Sequence, residues 1–221
     1  MRYDAVLFDN DGVLTHLTER EVLARAVRNA FDDVGVAAPD PDDVRDLQFG
    51  VTVARLTDIC ADYDVDPARF WARRDHHATR LQQDEIAAGN KPLYDDFDAI
   101  LDVPGPRGIV SSNQHPTVER ILEHNDISHH FDTYYGREMS LDGIRRKKPA
   151  TYYLDRAVAD IGAENPVYVG DSETDVEAAR NAGMDAIFLR RPHRQDTDLS
   201  VEPTAEIRTL GELRSVVDGA P

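Results

Sequence analysis

An α/β fold, a Rossmann-like doubly wound parallel sheet with an inserted small helical subdomain, is what this sequence predicts, and three features predict it. A short apolar run, Tyr3-Asp4-Ala5-Val6-Leu7-Phe8, breaks off abruptly at Asp9-Asn10-Asp11-Gly12. From about Thr18 to Gly89 the apolar spacing is helical throughout. Beyond Lys91-Pro92, short apolar runs alternate with helical ones, the pattern of a parallel sheet covered by helices on both faces.

Each element has its own signal. Tyr3 to Phe8 is too short for a helix and ends in turn formers, so it reads as a buried strand. Val22, Leu23, Ala26, Val27, Ala30 and Phe31 fall on one helical face, and Val53, Leu56, Ile59 and Cys60, then Phe70, Trp71, Leu81 and Ile86, extend the helical stretch. Gly108 to Val110 is the next strand, followed by a helix near Thr117 to His124 and a strand around Thr133 to Tyr135. Lys148-Pro149 is expected to open a helix bearing Tyr153, Leu154, Ala157, Val158 and Ile161 on one face. Val167 to Val169 is a strand, a helix from about Glu173 stops at Gly183, and Ala186 to Leu189 is the last strand expected. The remainder reads as a polar tail with a short helix near Leu210 to Val217.

Composition excludes several classes. The net charge is -17, well beyond the magnitude of about 2 to 8 usual for a small soluble domain. Lys91, Lys147 and Lys148 are the only lysines, and the acids are dispersed along the chain. Such a surface resembles that of proteins from halophilic organisms, where concentrated ions screen self-repulsion. It offers no basic face for nucleic acid. No apolar stretch approaches bilayer length and no charged leader precedes Tyr3, so a cytoplasmic protein with no membrane partner is expected. Cys60 is the only cysteine and reads as a small buried thiol. His76, His77, His115, His124, His129 and His130 show no metal-ligand spacing, and Phe70 and Trp71 read as helix-bundle core.

In parallel sheets of this kind ligands bind beyond the carboxyl ends of the strands, and four polar segments are assigned to that edge. They are Asp9-Asn10-Asp11-Gly12-Val13-Leu14, Ser111-Ser112-Asn113, Lys148-Pro149 and Gly170-Asp171-Ser172-Glu173-Thr174-Asp175. Each has a local explanation as well. Asp9 to Gly12 suits an Asx turn, Asp171 or Ser172 a helix cap, Ser111 a turn and Lys148 a solvated cation. Their joint occurrence in this order favours chemistry.

The ordered set resembles the haloacid dehalogenase superfamily, over roughly 2–14 and 92–189, and the insert resembles that family's helical cap of the first type. The resemblance implies a core domain of residues 1–16 and 90–221 and a cap domain of 17–89, with hinges near Leu14 to Thr18 and Gly89 to Pro92. It implies a magnesium-dependent phosphomonoester hydrolase acting on a small phosphorylated metabolite, with Asp9 as nucleophile forming an aspartyl-phosphate and Asp11 as acid and base. Asp11 is then expected to hold a proton where Asp9 is ionised. Asp9, Asp11 through its backbone carbonyl, Asp171 and Asp175 would surround Mg2+, while Ser111 and Lys148 would contact and balance the phosphoryl group. The choice of Lys148 over its neighbour Lys147 rests on the Lys-Pro pattern. Ser112 and Asn113 are substrate-binding candidates.

Departures from the family pattern narrow this reading. Val13 stands where threonine is usual, downstream of the site chemistry. Asp11 argues against the dehalogenases, which carry tyrosine there, and against the phosphonate hydrolases, which carry alanine. Sugar phosphomutases carry a basic residue just beyond a glycine like Gly50, where this chain has Val51, Thr52 and Val53. Arg55, Arg73 and Arg74 are the candidates to compensate, so a mutase stays as the alternative. A phospho-accepting switch, like a response-regulator receiver, is a third reading.

Overall fold

The computed structural model describes residues 2–219. Its strands are β1 (Ala5–Phe8), β2 (Arg107–Gln114), β3 (Thr133–Arg137), β4 (Pro166–Gly170), β5 (Asp185–Leu189) and β6 (Ala205–Ile207). They form one six-stranded parallel sheet in the order β3-β2-β1-β4-β5-β6. The order reverses between β1 and β4, so the loops leaving these neighbours diverge and open a crevice at their carboxyl ends. Asp9 follows β1 there, and Asp171 follows β4.

The strands are buried on both faces because their alternate side chains feed two apolar clusters. Val6 and Phe8 join Ile109, Val167, Val169 and Ile187 on one side. Leu7 joins Val110, Tyr168, Ala186 and Phe188 on the other. Covering helices on the two faces include α5 (His115–His124), whose Val118 and Leu122 enter the first cluster, and α7 (Tyr152–Ile161) and α8 (Glu173–Asn181), which enter the second.

Between β1 and β2 lie four helices, α1 (Arg20–Asp33), α2 (Pro41–Asp46), α3 (Val53–Asp62) and α4 (Pro67–Ala87). Three of them start at side-chain caps from Asp40, Thr52 and Asp66. Their inner faces form a separate cluster around Val27, Phe31, Leu56, Ile59, Phe70 and Trp71. The two connections to the sheet run side by side: His16 N–H donates to Pro92 O at 3.0 Å, and Tyr94 N–H to Leu14 O at 3.0 Å.

Two local expectations need correction, and one helix was not foreseen. The stretch read as a polar tail contains β6, an edge strand of three residues, too short to display a period. Lys148-Pro149 opens no helix. It lies in the turn between α6 (Leu141–Arg146) and α7, across a cis peptide bond. Helix α6, with Gly143 at its centre, has no amphipathic run long enough to be read, yet its Ile144 joins the cluster of the insert. No helix among the described residues is long and apolar enough to cross a membrane.

Candidate active site

A cavity of about 590 Å³ lies between the carboxyl edge of the sheet and the helical insert. Asp9, Asp11, Ser111, Ser112, Asn113 and Asp171 line its sheet end. Backbone geometry puts them there. Asp9 N–H donates to Val169 O at 2.9 Å, which extends the β1–β4 ladder by one residue. The chain then turns back on itself, with the N–H groups of Leu14 and Thr15 converging on Asn10 O at 2.9 and 3.0 Å. Gly12 has φ +85°, and a Cβ there would run into the Asp171 carboxylate. Gly170 has no positive φ, but a Cβ on it would collide with the Asp175 side chain. The two glycines let the segments after β1 and β4 approach.

Helix α8 starts at this edge in a capping box: Asp175 Oδ2 accepts from Asp171 N–H, Ser172 N–H and Ser172 Oγ–H at 3.1, 3.0 and 2.6 Å. Its other oxygen lies 2.6 Å from Lys148 Nζ, which is also 2.9 Å from Asp9 Oδ1. Lys148 donates to the Tyr168 hydroxyl at 2.7 Å, and that hydroxyl donates to Val110 O at 2.6 Å. The lysine therefore stands behind the cavity floor and reaches the site through Asp9 and Asp175. Ser111 Oγ accepts from Asn113 N–H at 3.1 Å, so its own proton can be donated into the cavity.

Asp9, Asp171 and Asp175 each offer a carboxylate oxygen within 4.8 Å of the others, and all three are buried. Such a set repels itself, and an all-oxygen donor set of this size fits a hard divalent cation such as Mg2+. Charge on the floor follows from these contacts. Burial, against the pull of Lys148 and reinforced by Asp175, Asp171 and Asp11, pushes the Asp9 carboxyl up to about 8. Asp11 moves the other way: burial opposes its charge, but the ion pair with Lys91 and hydrogen bonds from Asn113 and Asn10 outweigh it and hold it below its usual range. This order is the reverse of the one expected from the sequence. Burial and the protein's own charges account for it, because burial and three acids disfavour ionised Asp9 while Lys91 favours ionised Asp11. A divalent ion among Asp9, Asp171 and Asp175 would supply the missing attraction.

The structure brings Asp9, Asp11, Ser111, Ser112, Asn113, Lys148, Asp171 and Asp175 together at one edge. Arg74 reaches the cavity wall from α4, buried against Leu47 O, Gln48 O and Asp75. Arg55 and Arg73 do not reach it. Arg55 lies on the surface between Asp43 and Asp46, at 3.1 and 2.8 Å, and Arg73 faces Asp33 at 4.0 Å.

Several residues at the site escaped the sequence reading. Lys91, 2% exposed, pairs with Asp11 and donates to His16 O at 2.9 Å and Thr18 Oγ1 at 3.1 Å, pinning both connections to the site. Its rarity was the available signal. His193 Nε2 and Arg194 Nε contact Asp171 Oδ2 at 2.7 and 3.1 Å from a 3-10 turn after β5. Gln82 of α4 donates to Asn113 Oδ1 and Gln114 Oε1, each at 3.1 Å, and Asn113 Nδ2 donates to Asp11 Oδ2 at 3.0 Å. Trp71 belongs to the apolar cluster of the insert, as expected, and also lines the cavity. Cys60 is buried away from the cavity, and burial pushes its thiol up to about 11, as an inert core thiol requires.

Clustered carboxylates at the switch point of a doubly wound sheet, with a helical insert directly after the first strand, define a class of Rossmann-like cores with acids gathered at the strand ends. Residues 6–189 match the haloacid dehalogenase-like hydrolases, and the chain belongs to that family. It is 29% identical over 187 residues to tyrosine-protein kinase PtkA of Mycobacterium tuberculosis, covering 83% of this chain but 61% of that relative's length. It is 26% identical over 203 residues to phosphoglycolate phosphatase of Yersinia pestis, covering 83% of this chain and 79% of the relative. Among solved structures it is similar to CbbY from Rhodobacter sphaeroides in complex with phosphate, with a TM-score of 0.71, 19% identity and 96% of each chain covered.

Proposed function

We propose that this chain is a magnesium-dependent phosphatase of small phosphorylated metabolites, working through an aspartyl-phosphate on Asp9. One observation carries the reading: Asp9, Asp171 and Asp175 gather within 4.8 Å over the buried Lys148, beside Ser111 and Asp11, on the floor of a cavity sized for a small molecule. Relatives named for a kinase and for a phosphatase share the core, so the reaction is argued from the site.

Asp9 and Asp171 would hold Mg2+ through side chains, Asp11 through its carbonyl and Asp175 through water; the ion would offset carboxylate repulsion and the charge of the incoming phosphate. A carboxylate oxygen of Asp9 attacks phosphorus as the ester P–O bond breaks, and Asp11, which Lys91 keeps ionised in the free protein, takes up a proton as the ester binds and gives it to the departing alkoxide. Water then attacks the same phosphorus, Asp11 takes its proton, and the Asp9 carboxylate leaves with inorganic phosphate released. Ser111 donates to the transferring group, while Lys148 aims Asp9 and the divalent ion would complete the ionisation that Lys148 alone does not secure. Residues 17–89 act as the cap, with core residues 1–16 and 90–221 carrying the chemistry. Cap closure over the cavity would exclude bulk water. Val51, 3% exposed and packed in the insert's core, leaves no basic grip beyond Gly50 of the mutase type.

The test is phosphate release from a panel of phosphorylated metabolites, with magnesium at high potassium chloride, for wild type, Asp9→Asn and Asp11→Asn. Turnover lost in both variants is expected. Release that survives Asp9→Asn would refute the nucleophile assignment.

A further inference from the structure

The insert end of the cavity has the opposite charge. Trp71 and Arg74 of α4, Arg137 at the end of β3, and Lys147 line it together. Of the three cations there, Arg74 and Arg137 share one carboxylate, Asp75, and that acid is already saturated. Arg137 donates to its two oxygens at 2.6 Å each, Arg74 at 3.1 Å and Gln114 at 2.9 Å. The Nε–H of Arg137 donates to no group among the described residues. Lys147 pairs with no carboxylate among them either, and burial, with Arg137 and Arg74 close by, draws its ammonium down to about 8. The Trp71 indole N–H is buried without an acceptor, while the ring is flanked by Arg74 and Arg137 at 4.8 and 5.1 Å. In a chain of net charge -17, a cluster of buried and half-buried donors with surplus positive charge is the reverse of the average surface. Buried donors require acceptors and buried cations require anions.

We propose that this end of the cavity is a second oxyanion subsite, in which Lys147 and Arg137 take a carboxylate or phosphoryl group on the substrate's far side from the scissile ester. The proposal deepens the phosphatase reading and rests on it. It makes the substrate class a small phosphate ester with a second anionic end. The grip comes from the end of β3 and the residue before Lys148, in place of the loop after Gly50.

The experiment separates binding from turnover. The Asp9→Asn protein is titrated calorimetrically, with magnesium present, using glycerol 3-phosphate, 3-phosphoglycerate and 1,3-propanediol bisphosphate. The two esters with a charged far end should bind about tenfold or more tightly than glycerol 3-phosphate, the effect of one or two charge-assisted hydrogen bonds. Adding Lys147→Met should shrink that preference, and Lys147→Arg should retain most of it. Arg145→Met, which removes an exposed cation of α6 paired with Asp142, should leave it intact. The stronger of the two charged ligands identifies the natural group. Equal binding of all three esters, a preference untouched by Lys147→Met, or one lost equally with Arg145→Met would overturn the subsite. Wild-type protein that binds with this preference but releases phosphate from no metabolite would overturn the phosphatase reading alone.

Discussion

The two ends of the cavity are both buried and both charged, but they lack opposite things. At the sheet end the carboxylates of Asp9, Asp11, Asp171 and Asp175 share Lys148, Lys91 and Arg194. At the insert end Arg74 and Arg137 share Asp75, and Lys147 stands beside them without an anion among the described residues. An acid-rich floor repels a phosphate ester unless a cation intervenes, whereas a cation-rich wall attracts any oxyanion that fits. Orientation follows from the contrast: the ester end meets the aspartates, and a charged far end meets the arginines.

The sharpest way to break the comparison is at Asp9. Asp9→Asn should lower turnover about 10^4-fold, as losses of reacting groups do, measured as phosphate release. The same variant probes electrostatics. With its carboxyl held at about 8 against an ordinary 3.8, folded Asp9 keeps a proton that the unfolded chain gives up. Its contribution to stability is complete below pH 4 and is lost as pH rises towards 8. In chelator-treated protein Asp9→Asn should therefore melt above wild type, by a margin that widens between pH 5 and pH 8. A margin that narrows with rising pH would contradict the crowding of acids.

At the other end the matching cut is Asp75→Asn. It leaves Arg137 and Arg74 buried with no anion and should cost about 3 to 5 kcal/mol in chemical denaturation, the penalty of orphaning a buried ion-pair partner. High phosphate should restore part of this loss, because an oxyanion can take the vacated charge. A smaller response belongs to the metal. Magnesium at a hundred times its dissociation constant should stabilise the wild type by about 2.7 kcal/mol, and Asp171→Asn should abolish most of that rise in thermal melts.

Much of the sheet end was legible because its residues sit in local runs that a strand or helix boundary delivers intact. Asp9 and Asp11 are two apart, and Asp171 and Asp175 belong to one helix start. The insert end, Arg74 apart, was illegible for the converse reason: Asp75 meets Arg137 across 62 residues. A signal existed on α4, where Trp71, Asp75, Ala78 and Gln82 fall at helical spacing on the buried face. Two polar residues among core positions require partners, and both have them. Tyr168 was hidden within an apolar strand, since only its hydroxyl leaves the core to meet Lys148. The short β6 and the helix α6 were missed because three and six residues establish no period.

Arg55 and Arg73 test whether proximity in sequence to the insert's cavity wall means anything for binding. Both lie in helices that line the cavity or its surroundings, and α4 carries Arg73 next to Arg74. One helical step separates their directions by about 100°, enough to send Arg74 into the wall and Arg73 outward to solvent. Their side chains are 44% and 54% exposed and face Asp46 and Asp33. An ion pair in water is screened and costs side-chain freedom, so neither arginine has a strong hold on structure or ligand. Arg55→Ala and Arg73→Ala should each keep kcat/KM within about twofold of wild type, while Arg74→Ala, which removes a buried donor set, should not. A large KM increase in Arg73→Ala would mean that the insert turns on closing and presents a different face of α4 to the substrate.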